Sequence, residues 1–564
     1  MVHLTAVRWR SAMARLSALV TVALLVAGCA GGQTSRPPNA FTSWGAYLAA
    51  STDLGRLPAR TDVSVTLSTR EPDPAAAQAA LSAMEDPSSP SYGQTLTPVQ
   101  WEAAFGPPAS AVARAQATAA QAGTQLSVPP GSTLGTLRGP AGAMSRLLQV
   151  AIDRWRGPDG KRFYSSRRAP FLPAALAAAF VAPTRLSDWT PPVHRDAPGR
   201  ARAVPGNGLT PSDVENAYDI KPLQQQGLDG SGQTIVFWEL GDGYSSSDLS
   251  TFDQHFGLPT PQITQVGPNQ KQQGELIMDL ETAHSLAPGA RLVVYTANPQ
   301  TEAGQDLLLQ QMFQQQPGAV FDFSWGGCEQ TWANPNFFVT GFQQAASLGD
   351  TVIASSGDSG GYECMQADAR APTRDAIGVS APASSPDVLS VGGTRLSLNA
   401  RGGYYDETPW NYAVANEGTG GGVSQAYSDP NFQQTAQHGR WSKRTVPDVS
   451  AIGDPETGLL NYSDGGWSQG GGTSLATPVW AAITALLNQY LKQQGQRPLG
   501  FYDAALYALA AGSPSHPPFH DIITGGNMVY NAGAGYDLAS GLGSPDVWNL
   551  AQDLLTYEQS GGHG

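Results

Sequence analysis

Residues 234 to 240 read T-I-V-F-W-E-L, an apolar run of the kind that forms a buried strand. Four further apolar runs follow at 291–297, 319–325, 351–356 and 387–392, and segments with a helical pattern separate them. Apolar runs that alternate with helices are typical of parallel strands covered on both faces. The sequence therefore predicts an α/β fold with a mainly parallel sheet flanked by helices. In such sheets, functional side chains collect where strands end and loops begin.

The composition predicts a compact, loop-rich exported protein. Charged residues make up 14% of the 564 residues, and the chain contains 64 Gly and 43 Pro. The 46 Asp and Glu outnumber the 32 Lys and Arg, so the formal net charge is -14 at pH 7. This charge disfavours polyanion binding, so we expect no nucleic acid among the partners, and it suits an acidic medium in which carboxylates protonate.

The N-terminus indicates export with a lipid anchor. Basic residues precede an apolar run at 16–27, which is short for a membrane span and meets Gly28 and Cys29. The V-A-G-C sequence resembles a bacterial lipobox, whose cysteine becomes a diacylated N-terminus, and two acyl chains give stable anchoring. We therefore expect a lipoprotein signal peptide at 1–28 and an exported protein that is membrane-anchored or released after processing. An ordinary secretory signal cut after an A-x-A-like site is the alternative.

A small α+β domain is predicted between the anchor and the sheet. Residues 29–58 are rich in Gly, Pro, Ser and Ala, as in a flexible tether. The segment V-S-V-T-L-S at 63–68 alternates like a strand, and the Ala-rich patterns at 74–85 and 98–122 are helical. A Pro-, Arg- and Gly-rich stretch follows, which a protease can cut. The predicted divisions are 59–185 for the α+β domain, 186–208 for the processing connector and 209–558 for the α/β domain.

The stretch S-S-G-D-S-G-G at 355–361 looks like the nucleophile loop of a chymotrypsin-type protease, with Ser359 as nucleophile and His284 as base. That fold is a pair of β-barrels. The chain between His284 and Ser359 instead alternates strand and helix patterns, which leaves little room for barrels. The context therefore argues against this assignment.

A better nucleophile lies in G-G-T-S-L-A-T-P-V-W-A at 471–481, where a Gly-rich turn leads into an apolar helix that Pro478 helps to start. Ser474 would lie at the N-terminal end of this helix, where backbone N–H groups and the helix dipole favour an alkoxide and an oxyanion. A lone G-T-S is more simply a helix N-cap. The longer pattern resembles the nucleophile helix of the subtilisin-like fold. No histidine stands in an H-G-T-like motif, however, so this serine needs another base.

Two carboxylates provide a candidate base. The segment G-E-L-I-M-D-L-E-T-A-H-S-L-A-P-G at 274–289 predicts a helix on which Glu275 and Asp279, four residues apart, share one face. Like charges at this spacing repel, whereas a proton shared between them makes one the base and the other its orienting partner. Taken alone, the segment is more commonly an exposed acidic helix.

Together these segments resemble the sedolisin family of serine-carboxyl peptidases. G-E-L-I-M-D-L-E, F-S-W-G-G, S-S-G-D-S-G and G-G-T-S-L-A-T-P stand in the family's order, and D-P-S-S-P-S-Y-G-Q-T-L-T-P at 86–98 is similar to its activation propeptide. The resemblance implies an acid-active zymogen with a Ser-Glu-Asp triad, whose substrates are proteins and peptides and whose propeptide is an intramolecular inhibitor. The implied roles are nucleophile for Ser474, base for Glu275, orienting partner for Asp279 and oxyanion-hole donor for Asp358.

The resemblance also implies how these groups work. A carboxyl group donates a hydrogen bond to an oxyanion only while it is protonated, so Asp358 in that role implies activity in acid. Glu239 in W-E-L-G-D-G-Y and Trp325 in S-W-G-G match a pair that extends the carboxylate chain in some family members. Ordinary packing at strand ends is the alternative for this pair.

A calcium loop and a disulfide are expected elsewhere. The segments F-H-D-I-I-T-G-G-N and A-G-A-G-Y-D-L-A-S-G resemble the family's Ca2+ loop, an all-oxygen site suited to a hard cation, although aspartates that cap turns are the alternative. If Cys29 carries lipid, Cys328 and Cys364 remain, and an exported chain can join them; two free buried thiols are the alternative. The implied Ca2+ ligands are the carboxylates of Asp521 and Asp537 and the carbonyl oxygens of Ile522, Gly533 and Gly535.

Two other functions stay open at this level. An inactive, lipid-anchored protein that binds peptides would not require Ser474, Glu275, Asp279 and Asp358 together. An aminopeptidase that releases short N-terminal peptides, as some relatives do, would need an acidic group placed to hold a free amine, which the sequence does not locate. We expect a monomer.

Overall fold

The structure is a computed structural model. The predicted signal peptide, Cys29 and most of the processing connector lie outside the residues it describes. Within the described residues, no helix is both long enough and apolar enough to cross a membrane. The described ranges are 44–189, 208–297, 301–365, 374–512 and 516–560.

The N-terminal domain combines short helices with two antiparallel sheets. Its strands are β1 (Thr52–Arg56), β2 (Asp62–Thr69), β3 (Gln125–Ser127), β4 (Leu134–Pro140), β5 (Ile152–Arg156), β6 (Arg162–Ser166) and β7 (Phe180–Val181). Its helices are α1 (Trp44–Ala50), α2 (Pro74–Glu85), α3 (Pro98–Phe105), α4 (Ala109–Gln121), α5 (Ala141–Leu147) and α6 (Ala174–Ala177). The sheets have the orders β3-β4-β2-β7 and β1-β5-β6, and Leu67, Leu137 and Ile152 lie in a core that belongs to this domain. This confirms the predicted α+β domain, although Pro107 and Pro108 divide its second helical pattern between α3 and α4.

The predicted flexible tether at 29–58 is wrong for its second half. Residues from Trp44 onward form α1 and β1, and β1 pairs with β5. The rings of Trp44 and Tyr47 pack against Trp189 at centroid distances of 4.9 and 5.0 Å. Aromatic side chains bury large apolar areas, so these rings anchor a segment whose Gly, Ser and Ala content otherwise favours a coil.

The α/β domain is organised around an eight-stranded sheet. Its helices are α7 (Pro211–Ala217), α8 (Lys221–Gln224), α9 (Ser246–Phe256), α10 (Glu275–Leu286), α11 (Glu302–Gln315), α12 (Pro335–Ser347), α13 (Asn431–Ala436), α14 (Thr473–Gln493), α15 (Asp503–Ala511) and α16 (Val547–Ser560), with 3-10 turns at Glu329–Thr331 and Arg374–Ala376. Its strands are β8 (Thr234–Glu239), β9 (Gln262–Val266), β10 (Arg291–Thr296), β11 (Val320–Phe323), β12 (Gly327–Cys328), β13 (Thr351–Ser355), β14 (Ser380–Ala381), β15 (Leu389–Leu398), β16 (Tyr404–Pro409), β17 (Asn411–Tyr412), β18 (Glu417–Gly418), β19 (Gly422–Ser428), β20 (Lys443–Val446), β21 (Val449–Ile452), β22 (Leu460–Ser463), β23 (Gly466–Gln469), β24 (Phe519–His520) and β25 (Ser544–Pro545).

The order of the main sheet is β16-β15-β13-β11-β8-β10-β9, and β21 also pairs with β15. These pairs are parallel except for β15 with β16, which is antiparallel. The five apolar runs of the sequence form β8, β10, β11, β13 and β15. This confirms the predicted, mainly parallel sheet.

Helices cover both faces of the sheet. On one face, Leu276 of α10 and Leu475 and Val479 of α14 belong to an apolar cluster with sheet residues. On the other face, Phe313 of α11 and Phe342 of α12 pack in a second cluster. The helix pair α10 and α14 therefore lies together under one face, which brings the two segments that carry the predicted nucleophile and base into contact.

The N-terminal domain docks on α11 and the start of α12 through buried polar contacts. Thr66 Oγ1 of β2 donates to Asp306 Oδ2 at 2.7 Å. Arg185 Nη2 donates to Glu302 Oε1 at 2.5 Å and to the Thr331 carbonyl at 2.6 Å, and its guanidinium lies over the Trp44 ring. Burial raises the pKa of Asp306 to about 7, against the hydrogen bond from Thr66, which lowers it. A buried arginine paired with a carboxylate of the other domain ties the two domains together at this point.

Candidate active site at the carboxyl ends of the central strands

Ser474 lies in the first turn of α14. The preceding Gly472 has a φ of 89°, a conformation that favours glycine and lets the chain turn sharply into the helix. The side chain is fully buried, and its Oγ is 3.0 Å from the carbonyl oxygen of Ser324, to which it donates. The same hydroxyl also hydrogen-bonds the side chain of Glu275.

The prediction that Pro478 helps to start this helix is wrong, because α14 begins at Thr473 and Pro478 lies inside it. A proline has no N–H, so the carbonyl of Ser474, four residues earlier, lacks its intrahelical donor. The hydroxyl of Ser324 lies 3.4 Å from that oxygen and is placed to donate to it. Pro478 thereby links the helix of Ser474 to the end of β11.

Glu275 and Asp279 both lie on the buried side of α10, at 7% and 2% exposure. Asp242 fixes the start of this helix, since its Oδ2 accepts from the backbone N–H groups of Glu275 at 2.8 Å and Leu276 at 3.1 Å. Its other oxygen accepts from the backbone of Gln273. The helix is buried along its whole length, so the alternative of an exposed acidic helix is wrong.

The carboxyls of this region are held without a compensating cation. Burial raises the pKa of Glu275 well above its ordinary value, and the charges of Glu239, Asp242 and Asp322 raise it further, while the hydrogen bond from Ser474 lowers it. Burial and then the charges of Asp322, Glu275 and Glu239 raise the pKa of Asp279. Among the described residues, no Lys or Arg pairs with any of them. Such a cluster keeps protons at a pH where exposed carboxyls have lost them, which favours proton sharing.

Sequence reasoning missed two members of this cluster. Asp322 lies in the middle of β11 and is 1% exposed. The sequence does show it as a single carboxylate inside the apolar run A-V-F-D-F-S-W, which could have marked it as a functional residue. Asp242 caps a helix that begins more than thirty residues later in the chain. A cap that far from its helix cannot be predicted from a local sequence pattern. Ser324, whose carbonyl accepts from Ser474, was also missed because a backbone oxygen leaves no mark in the sequence.

Asp358 lies in the loop after β13 and reaches the N-terminus of α14. Its Oδ1 accepts from the backbone N–H of Thr473 at 2.8 Å and from the Thr473 hydroxyl at 2.9 Å. Gly357 precedes it with a φ of 105°. The aspartate therefore stands next to Ser474, at the helix end where a developing oxyanion would be stabilised.

Ser359 and His284 do not belong to this group. The backbone N–H of Ser359 points to Glu363 Oε2 at 3.4 Å, and Ser359 forms an isolated bridge with Gly418. His284 lies near the other end of α10, about 13 Å along the helix from Glu275, with its Nε2 2.7 Å from the Pro259 carbonyl. The chymotrypsin-type interpretation therefore has no support in the geometry.

The side chains of Glu239 and Trp325 form a hydrogen bond. The indole Nε1 of Trp325 donates to Glu239 Oε2 at 2.9 Å, and Glu239 is fully buried at the end of β8. Burial and the charge of Asp242 raise the pKa of Glu239 well above its ordinary value, whereas the bond from Trp325 lowers it. This contact is specific, unlike ordinary packing at strand ends, and it orients a carboxyl whose charge acts on Glu275.

A disulfide joins Cys328 to Cys364, which is the predicted pairing. Cys328 ends β12, shortly after Trp325, and Cys364 follows the loop of Asp358. The bond therefore ties together two segments that each contribute a group to the candidate site. Glu363, beside the disulfide, accepts from the backbone of this loop, and burial raises the pKa of Glu363 to about 8.

The predicted calcium residues lie in one loop near the C-terminus. Asp521 Oδ2 accepts from the N–H of Gly535 at 3.0 Å, and Asp537 Oδ2 accepts from the N–H of Gly533 at 3.0 Å, so the two carboxylates bracket a short glycine segment. Within the described residues, no donor is bonded to the carbonyl oxygens of Ile522, Gly533 or Gly535. The same part of the chain holds no group of three or more His, Cys, Asp or Glu side chains placed for a metal. Asp537 Oδ1 also accepts from the backbone N–H groups of Ala539 and Ser540, as an aspartate that caps a turn does. The oxygen donors of this loop are of the kind that a hard cation takes.

Two protein families match the chain. Residues 49–185 match the activation domain of pro-kumamolisin, and residues 250–500 match the subtilase family. The first match spans the N-terminal domain, and the second includes α10, the loop of Asp358 and the start of α14.

Individual relatives cover most of the chain. Kumamolisin from Bacillus sp. (strain MN-32) is 35% identical over 459 residues, which is 74% of this chain and 78% of the relative. Sedolisin from Pseudomonas sp. (strain 101) is 30% identical over 517 residues, 86% and 84% of the two chains. Tripeptidyl-peptidase 1 from Rattus norvegicus is 26% identical over 549 residues, 89% and 93%. A solved structure of Pseudomonas sedolisin, a serine-carboxyl proteinase complexed with two molecules of pseudo-iodotyrostatin, gives a TM-score of 0.54 at 29% identity and covers 63% of this chain and 99% of that one.

Proposed function

The chain belongs to the sedolisin family of serine-carboxyl peptidases, and from this premise we propose that it is an acid-active endopeptidase made as a self-activating zymogen. The observation that supports this most directly is the hydrogen bond between the side chains of Ser474 and Glu275. It lies inside a buried cluster of carboxyls with which no Lys or Arg of the described residues forms an ion pair. That arrangement supplies a nucleophile and a base in contact, in a buried site.

In the first step, Glu275 takes the proton of Ser474 as Oγ attacks the carbonyl carbon of the substrate. Asp279 shares charge and a proton with Glu275 and keeps its carboxylate turned towards the serine. The carbonyl oxygen becomes an oxyanion at the N-terminus of α14, where protonated Asp358 and the first-turn amide groups stabilise it. Protonated Glu275 then gives its proton to the leaving amine, which breaks the peptide bond and leaves an acyl group on Ser474.

In the second step, water replaces the amine. Glu275 removes a proton from the attacking water, a second oxyanion forms in the same place, and its collapse breaks the ester bond to Ser474. The proton returns to Ser474 Oγ and the product acid leaves. Atoms and charges balance without any group beyond water and the side chains named.

Acid activity follows from how a buried carboxyl cluster titrates. The first proton leaves while the neighbours are still neutral, and each later ionisation meets more repulsion, so the later pKa values are the ones raised most. The hydrogen bond from Ser474 lowers the pKa of Glu275 and so offsets part of the rise that burial and the charges of Glu239, Asp242 and Asp322 produce. The mechanism needs an ionised Glu275 together with a protonated carboxyl at Asp358, and a carboxyl donates to an oxyanion only while it is protonated, so we place the activity in acid.

We therefore expect cleavage of an unfolded protein to be fastest in acid and to fall as the pH approaches neutrality. The measurement is the initial rate between about pH 3 and about pH 7, where carboxyls titrate, with a soluble chain that starts after Cys29. A matched set of peptides with free and blocked N-termini separates the modes of attack. Equal cleavage of both supports an endopeptidase, and a rate that rises towards pH 7 would contradict the acid mechanism.

A tripeptidyl-type aminopeptidase is the second candidate. The observation that favours it is the similarity to tripeptidyl-peptidase 1 over 89% of this chain. Such an enzyme would release short N-terminal peptides and leave blocked substrates intact. The peptide set just described decides between the two modes. Inactive peptide binding has less support. Ser474 hydrogen-bonds Glu275, Asp279 lies one helical turn from Glu275, and Asp358 accepts from Thr473, the neighbour of Ser474.

The zymogen proposal rests on the match of the N-terminal domain to an activation domain and on its docking surface. Buried contacts such as Thr66 with Asp306 and Arg185 with Glu302 suit an intramolecular inhibitor that stays folded against the enzyme. The connector at 186–208 would be the segment that is cut during activation. Proteins and peptides are the proposed substrates.

We also propose that the C-terminal loop binds Ca2+ through Asp521, Asp537 and the carbonyls of Ile522, Gly533 and Gly535. The ion would stabilise the loop, and chelation should lower the melting temperature by about 5 °C. Differential scanning fluorimetry with and without a chelator measures the shift. Asp521→Asn should show no such shift, whereas Asp464→Asn, in an exposed turn, should respond as wild type does. An unchanged melting temperature of the wild type on chelation would reject the site.

Export and anchoring remain part of the proposal. The lipobox-like segment that ends at Cys29 supports a lipid-anchored, exported bacterial protein, released or held at a membrane. An oxidising compartment agrees with the disulfide between Cys328 and Cys364. We propose that the enzyme acts as a monomer.

A further inference from the structure

Asp322 is a buried carboxyl in a place that otherwise holds apolar side chains. In the parallel sheet it stands between Phe237 of β8 and Ile353 of β13, and both belong to the apolar cluster under α10 and α14. Its chain neighbours Phe321 and Phe323 belong to the cluster on the opposite face. The alternation of the strand therefore points Asp322 towards the helices that carry Glu275, Asp279 and Ser474. Burying a carboxyl there lowers the stability of the fold, so we expect that Asp322 has a functional role.

The bonds around Asp322 lead to the candidate nucleophile. Its Oδ1 accepts from the Ser324 hydroxyl at 3.3 Å. The Ser324 side chain also hydrogen-bonds Asp279; because its hydroxyl has one proton to donate, a protonated Asp279 can be the donor in that contact. The Ser324 carbonyl accepts from Ser474 Oγ at 3.0 Å. One serine thus contacts two carboxyls and the nucleophile.

Unbonded oxygens remain in the cluster. Within the described residues, Asp322 Oδ2 and Asp279 Oδ1 are buried and accept no hydrogen bond, and Glu275 Oε1 and Glu239 Oε1 are in the same state. A protonated carboxyl donates one hydrogen bond, so a single proton between two carboxyls satisfies an oxygen on each. The charge of Asp322 also raises the pKa of Asp279 more than the charges of Glu275 and Glu239 do.

We propose that Asp322 is a positioning residue that shares a proton with Asp279 and thereby holds Asp279 in the form that orients Glu275. The inference rests on the proposed function. It extends the proton-sharing chain from Ser474 through Glu275 and Asp279 to the centre of the sheet. No atom is transferred to substrate at Asp322, and the proton stays between the two carboxyls.

The charged groups that face this pair are all acidic. Helix α10 brings Glu275 and Asp279, and β8 with its following loop brings Glu239 and Asp242. The first turn of α14 carries no charged side chain, and β13 reads T-V-I-A-S. Removing the charge of Asp322 therefore reduces its electrostatic repulsion with Glu275 and Asp279 and breaks no ion pair among the described residues.

The test is the pH dependence of kcat/KM for Asp322→Asn in the full chain after acid activation. Without the charge of Asp322, Glu275 and Asp279 both ionise more easily, so the acid limb that the ionisation of Glu275 produces should move to lower pH by about one unit. The matched control is Asp350→Asn. Asp350 is equally buried, accepts from Gly318 at 2.6 Å and lies at the opposite end of β13, so its variant should keep the wild-type limb.

If Asp322→Asn does not fold, a second variant, Ser324→Ala, tests the same role. Ser324→Ala removes a donor that stabilises the ionised carboxyls, so it should move the acid limb in the opposite direction, to higher pH, by about half a unit. Shifts of opposite sign support proton sharing. An unmoved limb in either folded variant, or a shift of both to the same side, would overturn it. If wild-type cleavage proves independent of Ser474, the proposed function fails; if it depends on Ser474 and the limb does not move, only the role of Asp322 fails.

Discussion

Ser474→Ala should lower kcat/KM for peptide cleavage by about 10⁴-fold or more, because the variant lacks the atom that attacks the carbonyl carbon. The hydroxyl is small and fully buried, and its loss removes one donor from the Ser324 carbonyl, a cost of about 1 kcal/mol. The variant should therefore fold. Initial rates at the pH optimum measure the loss, and gel electrophoresis shows whether the N-terminal domain stays attached.

Ser359→Ala is the matched control for this experiment. Ser359 belongs to the motif that looks like a chymotrypsin-type nucleophile loop, and it is as buried as a core residue, at 7% exposure. Its variant should mature and cleave substrate at close to the wild-type rate. Activity that survives in Ser474→Ala and disappears in Ser359→Ala would reverse the assignment of the nucleophile.

Glu275→Gln should lower kcat by about 10³-fold, because the amide keeps the size of the side chain and its contact with Ser474 but accepts no proton. The remaining activity should also lose the acid limb that the ionisation of Glu275 produces. Stopped assays across the acid range measure both effects on activated enzyme.

Glu281→Gln provides the control for burial and helix position. Glu281 lies on the same helix, is fully buried and has its pKa raised by burial, yet its Oε2 accepts from the backbone N–H of Tyr462 at 2.8 Å. An amide oxygen can accept the same bond, so this variant should remain active. Equal losses in the two variants would mean that Glu275 supports the fold of α10 and does not act as the base.

The parts of the fold that follow from local pattern were predictable. The five apolar runs became strands of the main sheet, because a strand buried on both faces must be apolar along its length. The helix at Glu275–Leu286 was also predictable from its own residues. The prediction of a flexible tether was wrong where Trp44 and Tyr47 pack against Trp189, far along the chain. The composition of a segment does not reveal its tertiary contacts.

The candidate site was predictable only in part. Glu275 and Asp279 stand four residues apart, and that spacing is visible in the sequence. The cap from Asp242 and the approach of Asp322 depend on how separate strands are ordered in the sheet, which no short stretch of sequence encodes. Pro478 gave a wrong prediction for a related reason. The carbonyl that loses its donor lies 3.4 Å from the hydroxyl of Ser324, in the segment after β11, so a proline inside the helix is tolerated.

The central claim is that Ser474 Oγ becomes acylated while Glu275 acts as its base. The most direct measurement is mass spectrometry of activated enzyme that is mixed with a peptide ester in acid and quenched within one turnover. We expect an added acyl mass that maps to Ser474, is absent from Ser474→Ala and forms much more slowly in Glu275→Gln. Continued turnover with no acyl group on Ser474 at any quench time would contradict it.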